Sequence, residues 1–271
     1  MPAVDHAIDA GVAADLAADL ALLKDATREA GRIAMGYFRQ NPEVWLKGGS
    51  SPVSEADYAA DKYLRETLLA ARPDYGWLSE ETADDAARLK ARRTFIIDPI
   101  DGTRGFLDGR REWCVSAAVT EGGRPLVGVL ECPAKNETYL ATAGAGAFKD
   151  GKPLRIGAPQ SPAMVGGPVS MINAMPAGLR DRVKRSEYIP SLAYRIAMVA
   201  EGRLDGTFIK PNSQDWDLAA ADLILHEAGG AILDAGGVSP TYGGRETVHG
   251  SLVAGSGELL GAMIRAIRGE A

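Results

Sequence analysis

The spacing of apolar residues near the start of the chain has the period of a helix. This pattern predicts an amphipathic helix from about Ala13 to about Gln40. A loop rich in Gly, Ser and Pro follows at residues 47–53. Ser54 and Asp57 then have the spacing of a capping box, which predicts a second helix that ends near Pro73.

The middle of the chain changes to short segments of strand type. Residues 75–81 and 94–100 each predict a strand, and the alternating segments of residues 113–156 are separated by turn residues. This is the pattern of an antiparallel meander. An N-terminal half over residues 1–160 is therefore expected to combine two helices with a largely antiparallel sheet.

The pattern changes again after residue 168. Residues 191–202 and 216–230 predict helices, and a closing helix is expected at 257–269. Strands are expected at residues 205–210, 230–234 and 251–256. With no long linker in the sequence, the second half, residues 161–271, is expected to pack with the first in one layered α/β body.

Composition and charge exclude several classes of function. The 271 residues are 46% hydrophobic and carry a net charge of −6, which offers no basic face for a nucleic-acid polymer or an anionic membrane. No stretch approaches the roughly 20 apolar residues of a membrane span. Cys114 and Cys132 lack metal-ligand spacing, so buried free thiols in a reducing cytoplasm are expected.

The segment TFIIDPIDGTRGF, residues 94–106, carries the first candidate chemistry. Pro99 has no N–H to donate, so the strand is expected to stop near Asp98. Gly102 allows backbone N–H groups to point at an anion, while two carboxylates lie on the other side of the turn. Carboxylates with a phosphate oxygen suit Mg²⁺. The turn therefore predicts a site where a cation bridges protein and phosphate.

Other acidic residues strengthen this interpretation. Glu80 and Glu81 follow a predicted strand in the same half, and Asp217 lies in the first turn of a predicted helix. Taken singly, the glutamates suit a solvated surface and Asp217 suits a helix N-terminus. Four carboxylates packed in one cleft would repel one another unless a cation were present. Their combination therefore favours a metal site.

These motifs resemble those of the inositol monophosphatase superfamily of Mg²⁺-dependent, Li⁺-sensitive phosphomonoesterases. The Asp-Pro-Ile-Asp-Gly-Thr turn at residues 98–103 matches its first signature, and Trp216-Asp217 with Glu-Ala-Gly-Gly at 227–230 matches its second. Two departures occur. Three alanines at 219–221 replace the usual Ala-Ala-Gly, and Arg104-Gly105 replaces residues typical of inositol phosphatases.

The resemblance implies a fold and a set of metal ligands. The fold is a layered αβαβα sandwich of α+β and α/β type, as in inositol monophosphatase and fructose-1,6-bisphosphatase. The N-terminal half would carry most of the metal ligands, and the C-terminal half Asp217 and substrate contacts. Two or three Mg²⁺ ions are expected, with these ligands: Glu80, Asp98, Asp101, Asp217 and the carbonyl of Ile100.

The resemblance also implies catalytic roles. Asp57 and Thr103 would orient and deprotonate the attacking water, with Glu81 as a supporting acid and Lys47 on a mobile loop near the metals. No histidine is needed, and His226 is expected to be a packing or surface residue. Substrate contacts are expected from these residues: Asp101, Gly102, Thr103, Lys210 and Asp217.

The substrate has several alternatives within the superfamily. Lys210, with Arg195 or Arg104, is expected to bind a second phosphate. The residues of the two motifs are most similar to those of bacterial bisphosphate nucleotidases. Adenosine 3′,5′-bisphosphate is therefore expected, with inositol 1-phosphate and histidinol phosphate as alternatives. In the alternative interpretation, Lys210 is a solvated charge on a loop and does not contact the substrate. A cytoplasmic homodimer is expected from the resemblance.

Two other classes of protein are alternatives to this prediction. A phosphatase with an Asp-x-Asp-Gly-Thr nucleophile loop has one residue between its aspartates, whereas two residues, Pro99 and Ile100, separate them here. A non-catalytic protein of the same fold would have no need for the complete set of acids together with Thr103. The sequence favours the metal-dependent enzyme.

Overall fold

The structure, a computed structural model, describes residues 10–47 and 51–269. Within these ranges eight α-helices are present. Their bounds are α1 Ala10–Tyr37, α2 Glu55–Ala71, α3 Thr103–Leu107, α4 Val169–Asn173, α5 Ala177–Arg180, α6 Leu192–Ala200, α7 Asp215–Glu227 and α8 Gly257–Arg268.

Sixteen strands accompany the helices in the described residues. The first nine are β1 Val44–Lys47, β2 Ser51–Ser54, β3 Gly76–Ser79, β4 Arg93–Asp101, β5 Cys114–Glu121, β6 Arg124–Cys132, β7 Glu137–Thr142, β8 Gly146–Lys149 and β9 Lys152–Pro153. The others are β10 Ala163–Gly166, β11 Val183–Arg185, β12 Gly206–Ile209, β13 Ser213–Gln214, β14 Ala231–Asp234, β15 Val248–His249 and β16 Leu252–Gly255.

The first large sheet has seven strands in the order β3-β4-β5-β6-β7-β8-β9. Strands β3 and β4 are parallel, and the later neighbours are antiparallel, as the meander pattern predicts. Helices α1 and α2 pack on one face through a buried cluster that includes Leu23, Leu64 and Phe95. Burial of these side chains stabilises the layer because apolar surface leaves water.

The second large sheet has five strands in the order β11-β10-β12-β16-β14. Helices α6 and α7 lie between the two sheets, because one buried cluster joins Leu130 of the first sheet, Ile196 and Ile224 of these helices, and Ala254 of the second. Helix α8 covers the outer face through Met263. This order of layers confirms the predicted αβαβα sandwich.

The structure corrects several element bounds. The N-terminal helix covers Ala10–Tyr37, earlier than the predicted 13–40. Strand β1 precedes the segment predicted as a loop before α2 and β2 lies within it, and the two strands pair antiparallel. Residues 48–50 lie outside the described residues. Sequence patterns missed β1 because Val44, Trp45 and Leu46 are all exposed and do not alternate. The boundary between halves near residue 160 stays a prediction.

The strand that carries the first motif also differs from expectation. Strand β4 continues past Pro99 to Asp101, although the proline led us to expect its end near Asp98. The pairing with β5 shifts between Asp98 and Asp101, because Pro99 cannot donate to the ladder. The irregularity leaves two aspartates at the strand end, and the pairing with β5 resumes at Asp101 opposite Cys114.

Candidate functional site

A cleft of about 460 Å³ lies where the end of β4 meets the starts of α6 and α7. It gathers predicted site residues that are far apart in the sequence. Those lining it are Glu80, Asp98, Ile100, Asp101, Gly102, Thr103, Arg104, Lys210 and Asp217. Loops and helix starts supply most of the wall, which is typical of small-molecule sites.

Asp98 is placed by the irregular end of β4. Its carboxylate accepts a hydrogen bond from the backbone N–H of Ile100 at 3.0 Å, so the Asp-Pro-Ile turn folds back on its own first residue. Asp98 is buried, and it lines the floor of the cleft. The local turn therefore fixes the direction of this carboxylate.

Asp101 is held by the N-terminus of α6. Its Oδ2 atom accepts hydrogen bonds from the Ser191 hydroxyl at 2.5 Å and from the Ala193 N–H at 2.6 Å. Gly102 makes this approach possible, because its φ is 98° and a Cβ there would lie 3.1 Å from the Ser191 nitrogen. The glycine thus lets β4 and α6 meet at the carboxylate.

Asp217 is placed by the start of α7. Its Oδ2 atom accepts a hydrogen bond from the Gln214 N–H at 2.7 Å, as a capping residue does. One carboxylate oxygen each of Asp98, Asp101 and Asp217 lie within 4.8 Å of one another. Two elements from different halves of the chain therefore deliver the three groups to one point.

Burial of this cluster opposes its negative charge. The pKa of Asp98 lies well above its usual value because of burial, with repulsion from Glu80 and Asp101 adding to the effect. Burial and then the nearby Asp101 raise the pKa of Asp217 to about 8. Such a cluster of oxygen donors fits a hard divalent cation, which would remove the repulsion. The residues present therefore fit Mg²⁺.

Thr103 and Asp57 form a pair beside the cluster. The Thr103 hydroxyl lies 3.0 Å from Asp57 Oδ1 and 3.0 Å from the carbonyl oxygen of Ile100. The other Asp57 oxygen accepts hydrogen bonds from the Ser54 N–H at 2.8 Å and from the Ser54 hydroxyl at 2.6 Å. Burial raises the pKa of Asp57, and the Ser54 bonds act against this. Asp57 lies behind Thr103 and does not line the cleft.

Glu80 and Glu81 share one cation. Lys47 Nζ lies 3.3 Å from Glu80 Oε1 and 2.7 Å from Glu81 Oε1. Burial raises the pKa of Glu81 to about 7, although Lys47 acts in the opposite direction. Among the described residues the Glu81 Oε2 atom has no hydrogen-bond partner. Glu80 lines the cleft, whereas Glu81 and Lys47 lie outside its wall.

The predicted cations occupy two connected spaces. Lys210 and Arg104 are exposed at the cleft, whereas Arg195 lines an adjoining cavity of about 380 Å³. Lys210 lines both spaces. Arg195 donates to the carbonyl oxygen of Phe208 at 3.3 Å, and its buried Nε has no partner within the described ranges. His226 is exposed on α7, as predicted for a surface residue.

Three residues near the site escaped sequence analysis. Ser191 caps α6 and donates to Asp101, and its position before an apolar helix was the signal that could have revealed it. Asp215 and His249 form a hydrogen bond of 2.7 Å beside the start of α7. No local pattern connects two residues 34 positions apart, so this pair was not predictable.

Comparison with known proteins agrees with the geometry. Residues 15–270 match the model of the inositol monophosphatase family. The chain is 34% identical over 255 residues to an inositol-1-monophosphatase of Rhizobium meliloti (strain 1021), which covers 90% of this chain and 91% of that protein. It is 34% identical over 245 residues to a histidinol-phosphatase of Mycobacterium tuberculosis (strain ATCC 25618 / H37Rv), which covers 85% of this chain and 92% of that one.

Solved structures show the same fold. The extragenic suppressor protein suhB of Bartonella henselae superimposes with a TM-score of 0.80 at 29% identity, over 93% of this chain and 98% of that chain. An inositol monophosphatase of Thermotoga maritima gives a TM-score of 0.79 at 26% identity, over 90% of this chain and 94% of that one. The similarity extends over both large sheets.

Proposed function

Because the chain belongs to the inositol monophosphatase family, whose members are metal-dependent phosphatases, we propose that this phosphatase hydrolyses its substrate in a Mg²⁺-dependent reaction at the cleft. The observation that carries the proposal is the convergence of Asp98, Asp101 and Asp217 within 4.8 Å, beside the Thr103–Asp57 pair. The substrate is a small phosphorylated metabolite.

The ligand set would include the three aspartates of the cluster, with Glu80 and the carbonyl of Ile100 at its edge. Bound Mg²⁺ would polarise the phosphate oxygens and lower the pKa of a water molecule. Two or three ions are proposed, because the cleft holds more carboxylates than one octahedral ion needs beside its substrate oxygens.

The chain's own residues would move the proton. Thr103 donates its hydroxyl proton to Asp57, so its oxygen lone pair is free to accept a proton from the attacking water. The water oxygen forms a bond to phosphorus while the bond from phosphorus to the ester oxygen breaks, and the leaving oxygen gains a proton from solvent. The backbone N–H groups of Gly102 and Thr103 would contact the phosphate, and Glu81 with Lys47 holds Glu80 in place.

This activity is testable with a generic phosphate ester. The wild-type protein should release phosphate only when Mg²⁺ is added, and Asp98→Asn or Asp217→Asn should abolish turnover while the protein stays folded, since each change removes one charge from the proposed ligand set. Asp25→Asn, an exposed acid on α1, is the matched control and should keep full activity. Normal turnover by either cleft variant would refute the proposal.

We further propose that the preferred substrate carries a second anionic group, as adenosine 3′,5′-bisphosphate does. Lys210 lies between the cleft and the adjoining cavity, and Arg195 lines that cavity with a buried Nε atom that has no hydrogen-bond partner among the described residues. A guanidinium in such a position favours a phosphate. The leaving group would then extend from the aspartates towards Arg195.

The names of the relatives favour other substrates. Their printed names include inositol-1-monophosphatase and histidinol-phosphatase, so inositol 1-phosphate and histidinol phosphate are the alternative substrates. At Lys210, however, an ammonium donates hydrogen bonds and cannot accept them from a polyol hydroxyl. The cation favours an anionic leaving group over an uncharged one.

Substrate preference can be measured by comparing kcat/KM for the three compounds at equal Mg²⁺. Adenosine 3′,5′-bisphosphate should give the highest value, and Lys210→Glu should narrow or reverse its advantage. Lys184→Glu, an exposed lysine outside both spaces, is the control for a change in total charge. A higher wild-type kcat/KM on inositol 1-phosphate would assign the protein to that activity instead. Homodimer formation, Li⁺ sensitivity and a cytoplasmic location stay predictions.

A further inference from the structure

A buried carboxylate outside the cleft lies at the start of α7. Asp215 is 0% exposed and precedes Asp217 by two residues. Its Oδ1 atom lies 2.7 Å from His249 Nε2, and its Oδ2 atom accepts a hydrogen bond from the Gly243 N–H at 2.7 Å. Neither Asp215 nor His249 lines the cleft. Any effect of this pair on the cleft therefore passes through the elements that it joins.

The same segment also holds the backbone before α7. Ser213 pairs with His249 and Gln214 with Val248 in the short β13–β15 ladder. The Asp215 N–H donates to the carbonyl oxygen of Thr247 at 2.9 Å. Gln214, which lies in this ladder, donates its own N–H to Asp217. The first turn of α7, which includes Asp217, is thus held against residues 243–249 by Asp215 and by the strand that precedes the helix.

We infer that His249 is a positioning residue for the metal site: it holds Asp215, and through it the first turn of α7, so that Asp217 faces Asp98 and Asp101. This inference rests on the proposed function. Without His249, Asp215 would keep one donor, the Gly243 N–H, for a carboxylate that has no access to water. A buried charge without adequate partners is costly, so the turn would shift.

A shift of this turn would change metal binding before it changed substrate binding. Asp217 is two residues from Asp215 in α7, whereas Arg195 belongs to α6 and Lys210 to the segment between β12 and β13. Loss of a residue that orients a metal ligand typically lowers metal affinity about 10–100-fold. We therefore expect His249→Leu to weaken divalent metal binding by about that factor, with little effect on KM measured at saturating metal.

The test measures Mn²⁺ binding directly, by the electron paramagnetic resonance signal of free Mn²⁺, and uses thermal unfolding to verify the fold. His249→Gln can place an amide N–H near the position of Nε2 and should restore affinity to within a few-fold of wild type. His226→Leu alters an exposed histidine at the other end of α7 and should have no effect. If His249→Leu does not fold, the smaller His249→Ser takes its place.

Each outcome has one meaning. Failure of the wild-type protein to bind Mn²⁺ would refute the proposed function itself. Wild-type binding with an unchanged affinity in a folded His249→Leu or His249→Ser variant would refute the positioning role alone. Equal losses in the leucine and glutamine variants would also overturn it, because the hydrogen bond to Asp215 would then not be the cause.

Discussion

At the scale of single residues, the Thr103 hydroxyl has one proposed role, the activation of the attacking water. It lies 3.0 Å from Asp57 and belongs to the same turn as the buried aspartates. Thr103→Val keeps the shape of the side chain and removes the oxygen. Metal binding and KM should persist, while kcat should fall about 10²–10⁴-fold, the usual size of a general-base contribution.

Steady-state kinetics with Thr103→Ser as the companion variant checks this expectation. Serine keeps the hydroxyl and should recover most of the lost kcat. A change confined to KM would show that Thr103 binds the phosphate and does not activate water.

Asp222 gives a residue-scale prediction about pH. Burial raises its pKa to about 6, while the hydrogen bond from the Tyr242 hydroxyl at 2.8 Å acts against this. Between pH 4 and 6 the folded state then binds a proton more readily than the unfolded state, so this group's contribution to stability falls as pH rises through that window. Above pH 6 the full cost of the buried charge is present.

Asp222→Asn should remove that cost. After allowance for partial exposure of the side chain, the variant should be more stable than wild type by on the order of 1–2 kcal/mol at pH 7.5. The gain should shrink towards zero at pH 4, where both chains carry a neutral group. Urea unfolding of both proteins at several pH values, without metal, measures the difference. A gain that does not depend on pH would contradict the assignment.

At the scale of elements, the site depends on the contact between the end of β4 and the start of α6. Gly102 makes that contact with a φ of 98°, and an added Cβ would lie 3.1–3.2 Å from backbone atoms of Ser191. Gly102→Ala combines a strained backbone with a crowded contact. We expect it to lower the free energy of unfolding by about 1–3 kcal/mol and to weaken metal binding at Asp101.

Gly36→Ala is the matched control for this change. Gly36 lies in α1 with no atom within 4 Å of an added Cβ, so alanine there should stabilise the protein slightly through its higher helix propensity. Denaturant unfolding compares the two variants. An unchanged free energy of unfolding in Gly102→Ala would show that α6 can move away from the added Cβ without a loss of stability.

At the scale of the whole molecule, the metal site joins a strand of the first large sheet to a helix of the layer between the two sheets. Strand β4 belongs to the seven-stranded sheet, whereas α7 precedes β14 of the five-stranded sheet. The unfolded chain does not hold these carboxylates together, so Mg²⁺ should bind the folded state preferentially. At a concentration 100 times its dissociation constant the ion would add about 2.7 kcal/mol of stability.

That stabilisation should raise the Tm of the wild-type protein by roughly 5 °C. Differential scanning calorimetry with and without Mg²⁺ measures the change, and Ca²⁺-free buffer avoids competition by another hard cation. Asp98→Asn should show little increase. An equal increase in both proteins would place the bound ion elsewhere on the molecule.

Over residues 10–47 and 51–269, no helix is both long enough and apolar enough to cross a bilayer. The two cysteines are buried and free, as expected from their number and spacing.

The sequence by itself determined the layered fold and the family. Apolar periodicity located α1, α2, α6, α7 and α8, and turn residues between apolar segments located the strands of the meander. The motif residues at 98–103 and 216–217 could be recognised because their chemistry and spacing are local. The Thr103–Asp57 contact followed from the resemblance, and the structure brings the two within 3.0 Å.

Only the tertiary structure decided which groups support the site. The Ser191 hydroxyl reaches Asp101 across 90 positions of sequence, and His249 reaches Asp215 across 34. Strand β4 continues through Pro99 because its neighbours hold the irregular end in place, whereas local propensity predicts a stop. These features depend on packing between distant elements, where each contact is formed by the fold and leaves no periodic trace in the chain.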